Sequence, residues 1–110
     1  MNQNIGLFLD DLRHISDVDS YDKECIAWVV VRTYEEFIIE YQNGYDVISF
    51  DHDLGTKKTG YDCLLYVVED IVVHHAKKPK ILFHTKNPVG LQNMTELWDS
   101  VDLMIDRFQG

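Results

Sequence analysis

Residues 5–11 read Ile-Gly-Leu-Phe-Leu-Asp-Asp, a short apolar run that ends in two aspartates. Unbroken apolar runs of this length are typical of strands that are buried on both faces of a parallel sheet. Similar runs occur at residues 26–31, 47–50 and 81–83, and the short stretch 103–105 is a fifth candidate. The sequence therefore predicts a mostly parallel sheet of five strands.

The segment 33–43, between the second and third runs, has the periodicity of a helix. Its apolar side chains recur at i, i+3, i+4 and i+7 and form one helical face; they are Tyr34, Phe37, Ile38 and Tyr41. Thr33 followed by Glu36 has the pattern of a capping box, which marks the start of a helix. Gly44 suits the left-handed conformation that often ends one. We therefore expect a helix between these two signals.

Two further helices are predicted at about residues 61–75 and 94–99, and the Asn-Pro-Val-Gly stretch at 87–90 favours a turn before the second of them. Residues 13–24 occupy the place of the first crossover helix. They are acidic and poorly periodic, so we expect a loop or a short distorted helix there. Alternating strands and helices predict a flavodoxin-like, three-layer α/β/α fold with strand order 2-1-3-4-5, as a single domain over residues 1–110.

The composition limits the partners that this protein can have. Lysine and arginine total 10 against 19 aspartates and glutamates, which gives a net charge of −9. This charge argues against an extended nucleic-acid surface and against binding to an anionic membrane, but it permits a site for a short anionic ligand. The apolar runs are far shorter than the roughly 20 residues of a membrane helix, and the N-terminus lacks the features of a signal peptide. We expect a cytoplasmic protein.

Polar residues follow the predicted strands at their carboxyl ends, which is where open α/β sheets bind ligands. They are Asp10 and Asp11 after the first strand, Asp51, His52 and Asp53 after the third, His84, Thr85, Lys86 and Asn87 after the fourth, and Asp106 and Arg107 after the fifth. Crowded carboxylates repel one another, and a hard divalent cation relieves the repulsion. Single aspartates often only cap loops, but here they follow adjacent strands. We predict a Mg²⁺ or Mn²⁺ site formed by Asp10, Asp11, Asp51 and Asp53.

The basic residues gather at the same edge of the predicted sheet. Of the 10 lysines and arginines, those that follow predicted strands are Arg13, Arg32, Lys57, Lys58, Lys86 and Arg107. A cation beside a rim of positive charge favours a phosphate-bearing ligand. We expect Arg13, Lys86 and Arg107, together with Asn87, to bind the phosphate-bearing substrate, a nucleotide or an RNA end.

Five segments of the chain are specific in combination. They are residues 7–13 (LFLDDLR), 28–37, 50–55 (FDHDLG), 59–62 (TGYD) and 84–90 (HTKNPVG). Together they resemble the cyclic-phosphate-processing receiver family, a group in bacteria and phages that is related in fold to the receiver domains of response regulators. The resemblance covers almost the whole chain, and it implies a receiver-like fold and chemistry on cyclic phosphate ends of RNA.

The resemblance also implies roles for individual residues. In receiver domains the acidic pair after the first strand holds Mg²⁺, the aspartate after the third strand is phosphorylated, and a hydroxyl residue after the fourth strand contacts the phosphoryl group. In this chain the acidic pair precedes Leu12, the acceptor position is Asp51 and the hydroxyl residue is Thr85. The lysine that receiver domains carry after their fifth strand is absent, and Arg107 stands near that place.

Two histidines have no counterpart in ordinary receiver domains. His84 is followed by Thr85 and Lys86, a setting that suits a phosphate and its departing oxygen, so we predict that His84 protonates the leaving alkoxide. His52 lies between two aspartates, and we predict that it either turns toward the metal, where an imidazole would favour Mn²⁺, or gives the proton in place of His84. Asp51 either binds the metal or attacks the phosphorus as a nucleophile.

These residues are compatible with three classes of function. The first is a metal-dependent phosphoester hydrolase that acts on cyclic or terminal phosphates of RNA or nucleotides, and it is our prediction. The second is a signalling receiver that accepts a phosphoryl group on Asp51; the missing lysine and the added histidines count against it. The third is a non-enzymatic phage protein that binds a nucleotide or a partner, because binding and catalysis use the same residue types.

Overall fold

The computed structural model of the protein describes residues 5–12, 25 and 27–109. Strands and helices alternate from residue 27 to residue 99, and the strands form a parallel sheet, which confirms the predicted α/β class. The elements are β1 (Ile5–Leu9), β2 (Ala27–Val31), α1 (Tyr34–Tyr41), β3 (Val47–Phe50), α2 (Gly60–His74), β4 (Lys80–Phe83), α3 (Pro88–Asp99) and α4 (Val101–Gln109). The prediction for residues 13–24 lies outside the described residues.

The four strands form one parallel sheet in the order β2-β1-β3-β4. Leu9 pairs with both Val31 and Phe50, and Phe50 pairs with Phe83. These four residues are the last of their strands, so all four strands end level with one another. The side chains that follow them therefore meet at one edge of the sheet, as the sequence predicts.

The prediction of a fifth strand at residues 103–105 is wrong, because this stretch lies within helix α4. The sheet of the described chain has four strands, and the predicted order 2-1-3-4-5 reduces to 2-1-3-4. Val101, Met104 and Ile105 are spaced for one helical face, and all three are buried or half-buried. Ser100 starts this helix by accepting a hydrogen bond from the backbone N–H of Met104 at 3.0 Å. A three-residue apolar run fits a helix as well as a strand. Only the spacing of apolar residues over a longer stretch of sequence distinguishes the two.

Helix α3 begins earlier than predicted, and the turn expected at residues 87–90 is its first turn. Asn87 is the N-cap, and its side-chain oxygen accepts a hydrogen bond from the backbone N–H of Gly90 at 3.0 Å. Pro88 occupies the first helical position, where the missing N–H of proline costs nothing because that N–H has no partner within a helix. An Asn-Pro pair therefore starts a helix here.

The other two helices agree with the sequence prediction. Thr33 caps α1 by accepting a hydrogen bond from the backbone N–H of Glu36 at 3.1 Å. Gly44 follows α1 with a φ of 84°, the left-handed conformation expected of it. Before α2, the backbone N–H of Thr59 donates to Asp62 at 2.7 Å. These local contacts fix where both helices begin.

The two faces of the sheet differ in what packs against them. Leu7 and Leu9 point to one face, where they join a hydrophobic core to which all four helices contribute. Phe8 points to the other face, beside the residue with which it pairs, Ser49. The described helices all belong to the first core, so the predicted second layer of helices depends on residues outside the described part of the chain.

Helix length bears on the prediction that the protein does not cross a membrane. The longest described helix, α2, has 15 residues. A membrane-spanning helix needs about 20 apolar residues, and none of the helices in the described part of the chain is long and apolar enough to span a bilayer.

Candidate functional site

Two aspartates continue the ends of neighbouring strands. The backbone N–H of Asp10, after β1, donates to the carbonyl of Val31 at 3.1 Å, and that of Asp51, after β3, donates to the carbonyl of Leu9 at 3.0 Å. The ladder of the sheet thus extends by one residue and holds both aspartates side by side. Asp11 completes the group, and one carboxylate oxygen from each of the three residues lies within 4.8 Å of the other two. We call Asp10, Asp11 and Asp51 the acidic cluster.

The chemistry of the acidic cluster suits a hard divalent cation. Asp10 is 1% exposed and Asp51 is 7% exposed, so water does little to screen the repulsion between their charges. Backbone N–H groups stabilise part of that charge, since Leu12 donates to Asp10 and His52 donates to Asp51, each at 2.9 Å. Oxygen ligands crowded in this way are those that Mg²⁺ and Mn²⁺ accept.

Glycine allows α2 to start against the loop that carries the cluster. A Cβ at Gly60 would lie 1.6 Å from the backbone oxygen of Asp51, so no other residue fits there without a shift of the backbone. The backbone N–H of Gly60 also donates to the carbonyl of His52 at 2.7 Å. Gly60 therefore ties the start of a helix to the residue that carries a cluster carboxylate.

The acidic cluster lies in an open cleft of about 550 Å³. The cleft is lined by Asp10, Asp11, Leu12, Asp51, Asp53, Gly55, Thr85, Lys86, Asn87 and Pro88. It thus brings together seven of the residues that the sequence assigns to the site, from the ends of three strands. The residues that line it from the β4–α3 connection carry a hydroxyl, an ammonium and an amide.

Asp53 lines the cleft but is not one of the three clustered carboxylates. Its carboxylate contacts Nδ1 of His52 at 3.0 Å and accepts a hydrogen bond from the side chain of Asn87 at 3.3 Å. The hydrogen bond with His52 is the main reason why the pKa of Asp53 is below its usual value, and the bond with Asn87 adds to it. Its role as a metal ligand stays a prediction.

His52 lines a neighbouring groove, together with Tyr61 and Asn93, and not the described part of the cleft. Its ring packs against Gly90 of α3, where a Cβ would lie 2.4 Å from the ring. The contact with Asp53 and this packing hold the imidazole between cleft and groove. The predicted turn of His52 toward the metal stays a prediction.

His84 lies beneath the acidic cluster. Nε2 of its ring is 3.1 Å from Oδ2 of Asp10, and Nδ1 is 2.6 Å from the hydroxyl of Ser49. The ring is stacked on Phe8, with centroids 4.3 Å apart and planes at 4°. His84 is 6% exposed and is not among the residues that line the described cleft. These contacts place the ring under Asp10.

The remaining predicted residues lie in three settings. Thr85 and Lys86 line the cleft, and the hydroxyl of Thr85 accepts a hydrogen bond from the backbone N–H of Asn87 at 3.1 Å. Arg107 is exposed in the last turn of α4 and is not among the residues that line the described cleft. The prediction of Arg107 at the site depends on a fifth strand at residues 103–105, and that stretch is helical. Arg13 lies outside the described residues.

Three side chains at the site are not predicted from the sequence. They are Ser49, Phe8 and the guanidinium of Arg32. The sequence shows Arg32 only as a basic residue after β2. In the structure its Nη1 donates to the backbone oxygen of Asp10 at 3.0 Å. The sequence does indicate that Ser49 has a buried partner, because Ser49 is the one polar residue in the strand Val47–Phe50. A polar side chain in a buried strand needs a hydrogen-bond partner.

One family model matches most of the chain. The model for the cyclic-phosphate processing receiver domain matches residues 5–100, which include the whole sheet, the acidic cluster and the cleft residues of the β4–α3 connection. No curated protein and no solved structure matches the chain significantly. A match over most of the length shows the family: this chain belongs to the cyclic-phosphate processing receiver domains.

Proposed function

We propose that this protein is a metal-dependent phosphoester hydrolase that acts on cyclic or terminal phosphates of RNA or nucleotides. The observation that carries the proposal is the position of the acidic cluster, whose three carboxylates lie in a cleft that also contains Thr85, Lys86 and Asn87. Carboxylates can hold a cation, and a hydroxyl, an ammonium and an amide can bind phosphate oxygens. The description of the family, cyclic-phosphate processing, supports the same class of substrate.

The cation would be Mg²⁺ or Mn²⁺, held by Asp10, Asp11 and Asp51. When bound, a divalent cation lowers the pKa of a water molecule and offsets negative charge on the phosphate. Asp10 and Asp51 are already fixed by hydrogen bonds from backbone N–H groups, so little ordering is left to be done upon binding.

The lining residues from the β4–α3 connection would hold the substrate. The ammonium of Lys86 attracts the anionic phosphate, and the hydroxyl of Thr85 and the amide of Asn87 can donate to its oxygens. This attraction matters in a protein of net charge −9, because the acidic surroundings otherwise repel an anion. Lys86 lines the same cleft as the carboxylates and would supply positive charge to a phosphate there.

His84 has a different place in this proposal from the one that the sequence suggests. A proton donor to the leaving oxygen must lie within hydrogen-bond reach of it. The ring of His84 is buried, with one nitrogen near Asp10 and the other near Ser49. We therefore do not assign protonation of the leaving group to His84.

A signalling receiver is the second candidate, and one observation favours it. Asp51 lines the same cleft as Thr85 and Lys86, so its carboxylate can meet a phosphoryl group there and form an aspartyl phosphate. Ordinary receiver domains carry a lysine followed by proline after their fifth strand. The sequence has no such pair after residue 83, and this weakens the candidate.

One panel of substrates tests these candidates. Purified protein with Mn²⁺ or Mg²⁺ is incubated with 2′,3′-cyclic nucleotides, with RNA that ends in a cyclic phosphate, and with acetyl phosphate. Metal-dependent turnover of the cyclic substrates supports the hydrolase. Stable phosphorylation from acetyl phosphate without turnover supports the receiver, and binding without either reaction supports the non-enzymatic protein.

The variant Asp51→Asn decides whether the acidic cluster is responsible for any turnover. It removes one negative charge from the cluster and keeps the shape of the side chain, so we expect it to abolish metal-dependent hydrolysis. Asp46→Asn is the control, because Asp46 precedes β3, at the opposite end of that strand from Asp51. Equal activity of Asp51→Asn and wild type would contradict the proposal.

A further inference from the structure

A buried row of hydrogen-bonded side chains underlies the acidic cluster. It runs from the hydroxyl of Ser49 to Nδ1 of His84 over 2.6 Å, and from Nε2 of His84 to Oδ2 of Asp10 over 3.1 Å. The side chains of His84 and Asp10 are both 1% exposed. The row thus connects three neighbouring strands beneath the cleft.

The chemistry of the two ends fixes which nitrogen of His84 carries hydrogen. An ionised carboxylate can only accept hydrogen bonds, so Nε2 must donate to Asp10. In a neutral imidazole the other nitrogen is an acceptor, and the hydroxyl of Ser49 can donate to it. The stacked ring of Phe8, 4.3 Å away, packs against one side of the imidazole. Ser49 and Phe8 therefore hold the ring with its Nε2–H toward Asp10.

Asp10 is in turn held at both of its oxygens. Oδ2 faces Nε2 of His84, and Oδ1 accepts a hydrogen bond from the backbone N–H of Leu12 at 2.9 Å. A carboxylate held at both oxygens cannot rotate freely. Hydrogen-bond partners of this kind orient the ligands of metal sites and tune their affinity.

We propose that His84, held by Ser49, is a positioning residue that orients the carboxylate of Asp10 for binding of a divalent cation. This inference rests on the metal site of the proposed function. A purely structural role for His84 would lower stability without changing the metal affinity of the folded protein. The two roles therefore make different predictions for metal binding.

The test measures Mn²⁺ affinity by isothermal titration calorimetry for wild type and for variants that remain folded. We expect His84→Leu, which cannot donate a hydrogen bond, to weaken binding about 10- to 100-fold. His84→Gln places an amide N–H near the position of Nε2, and we expect it to keep most of the wild-type affinity. Ser49→Ala frees the ring to reorient and is expected to lie between these two.

His74→Leu is the matched control. His74 also pairs with an aspartate, Asp70, at 3.2 Å, but this pair is exposed near the end of α2. We expect its Mn²⁺ affinity to equal that of wild type. A change as large as that of His84→Leu would show that loss of any His–Asp pair alters binding, and it would overturn the inference.

The remaining outcomes are equally decisive. Wild-type affinity in folded His84→Leu overturns the inference while leaving the metal site intact. If His84→Leu does not fold, Ser49→Ala decides beside His84→Gln: weaker Mn²⁺ binding in folded Ser49→Ala, with near wild-type binding in His84→Gln, supports the inference. Wild-type affinity in Ser49→Ala, or strong loss in folded His84→Gln, overturns it. Nitrogen-15 shifts of the His84 ring should show hydrogen on Nε2, and hydrogen on Nδ1 alone would contradict the inference. Absence of Mn²⁺ binding in wild type would remove the proposed function itself.

Discussion

At the scale of single residues, the site depends on side chains that the strand ends place and on glycines that let other backbone come close. Asp10 and Asp51 follow residues that pair with each other, Leu9 and Phe50, so their proximity is a consequence of sheet register. Gly60 makes a different contribution. It lets the start of α2 press against the backbone of Asp51.

Gly60→Ala should therefore lower the stability of the fold. The added methyl group would meet the backbone oxygen of Asp51, which is 1.6 Å from the ideal Cβ position. We expect the free energy of unfolding in urea to fall by about 1–3 kcal/mol, as is usual for overpacking. Lys57→Ala, an exposed change in the same loop, should stay within about 0.5 kcal/mol of wild type. Equal stability of the two variants would show that the loop adjusts freely.

The sequence predicts the members of the acidic cluster but not their supporting contacts. Carboxylates after adjacent parallel strands must meet at one edge, whatever the details of packing. Which side chain turns beneath the sheet depends on the burial of each face. His84 follows the fourth strand as Thr85 and Lys86 do, yet it alone of the three is buried. The sequence offers one indication of this buried contact. Ser49 is a polar residue in an apolar strand, and a buried hydroxyl requires a hydrogen-bond partner.

At the scale of elements, caps and turns define the helices more securely than apolar runs define the strands. Thr33 and Gly44 bound α1 as the sequence predicts. The stretch 103–105 shows the opposite case, because its three apolar residues also belong to the apolar face of α4. Asn87 shows a third case, in which a residue typical of turns caps a helix. Tertiary packing decides these short segments.

The end of α1 gives a pH-dependent prediction. Glu40 accepts hydrogen bonds from the hydroxyl of Tyr45 and the side chain of Asn43, and these bonds hold the pKa of Glu40 below its usual value of 4.5. A lowered folded-state pKa stabilises the fold above the unfolded-state value, and the contribution is lost as pH falls through the folded-state pKa.

Tyr45→Phe should remove part of that contribution. We expect the variant to be less stable than wild type near neutral pH, and the difference to shrink as the pH falls below the usual pKa of 4.5 and through the lowered pKa of Glu40. Tyr66→Phe is the control, because the hydroxyl of Tyr66 contacts the amide of Gln42 and not a carboxylate. Urea unfolding at several pH values measures both. A stability difference for Tyr45→Phe that does not change with pH would contradict the assignment.

At the scale of the whole molecule, the net charge of −9 opposes a long polyanion, whereas the proposed substrate site is a cleft that contains Lys86. We expect salt to affect two substrates differently. Salt at about 0.2 M screens charges beyond roughly 8 Å, so it should lower the KM for a long RNA ending in a cyclic phosphate more than the KM for a cyclic mononucleotide. A KM for RNA that rises steeply with salt would indicate an extended nucleic-acid surface instead.

The acidic cluster should also make the stability of the whole fold depend on metal. A cation that binds the folded chain and not the unfolded one stabilises it, by about 2.7 kcal/mol at a concentration a hundredfold above Kd. We expect millimolar Mn²⁺ or Mg²⁺ to raise the Tm measured by scanning calorimetry. Each kcal/mol moves the Tm of a domain of this size by roughly 4 °C.

Variants of the cluster identify the source of that shift. Asp10→Asn and Asp51→Asn should each reduce it, because each replaces a charged ligand with a neutral one of the same shape. Without metal, Asp51→Asn should melt at or above the wild-type temperature, since it relieves repulsion between buried carboxylates. Asp46→Asn, at the other end of β3, should keep the full metal-dependent shift. If wild type shows no shift at millimolar metal, the three carboxylates do not form a cation site, and the hydrolase proposal loses its basis.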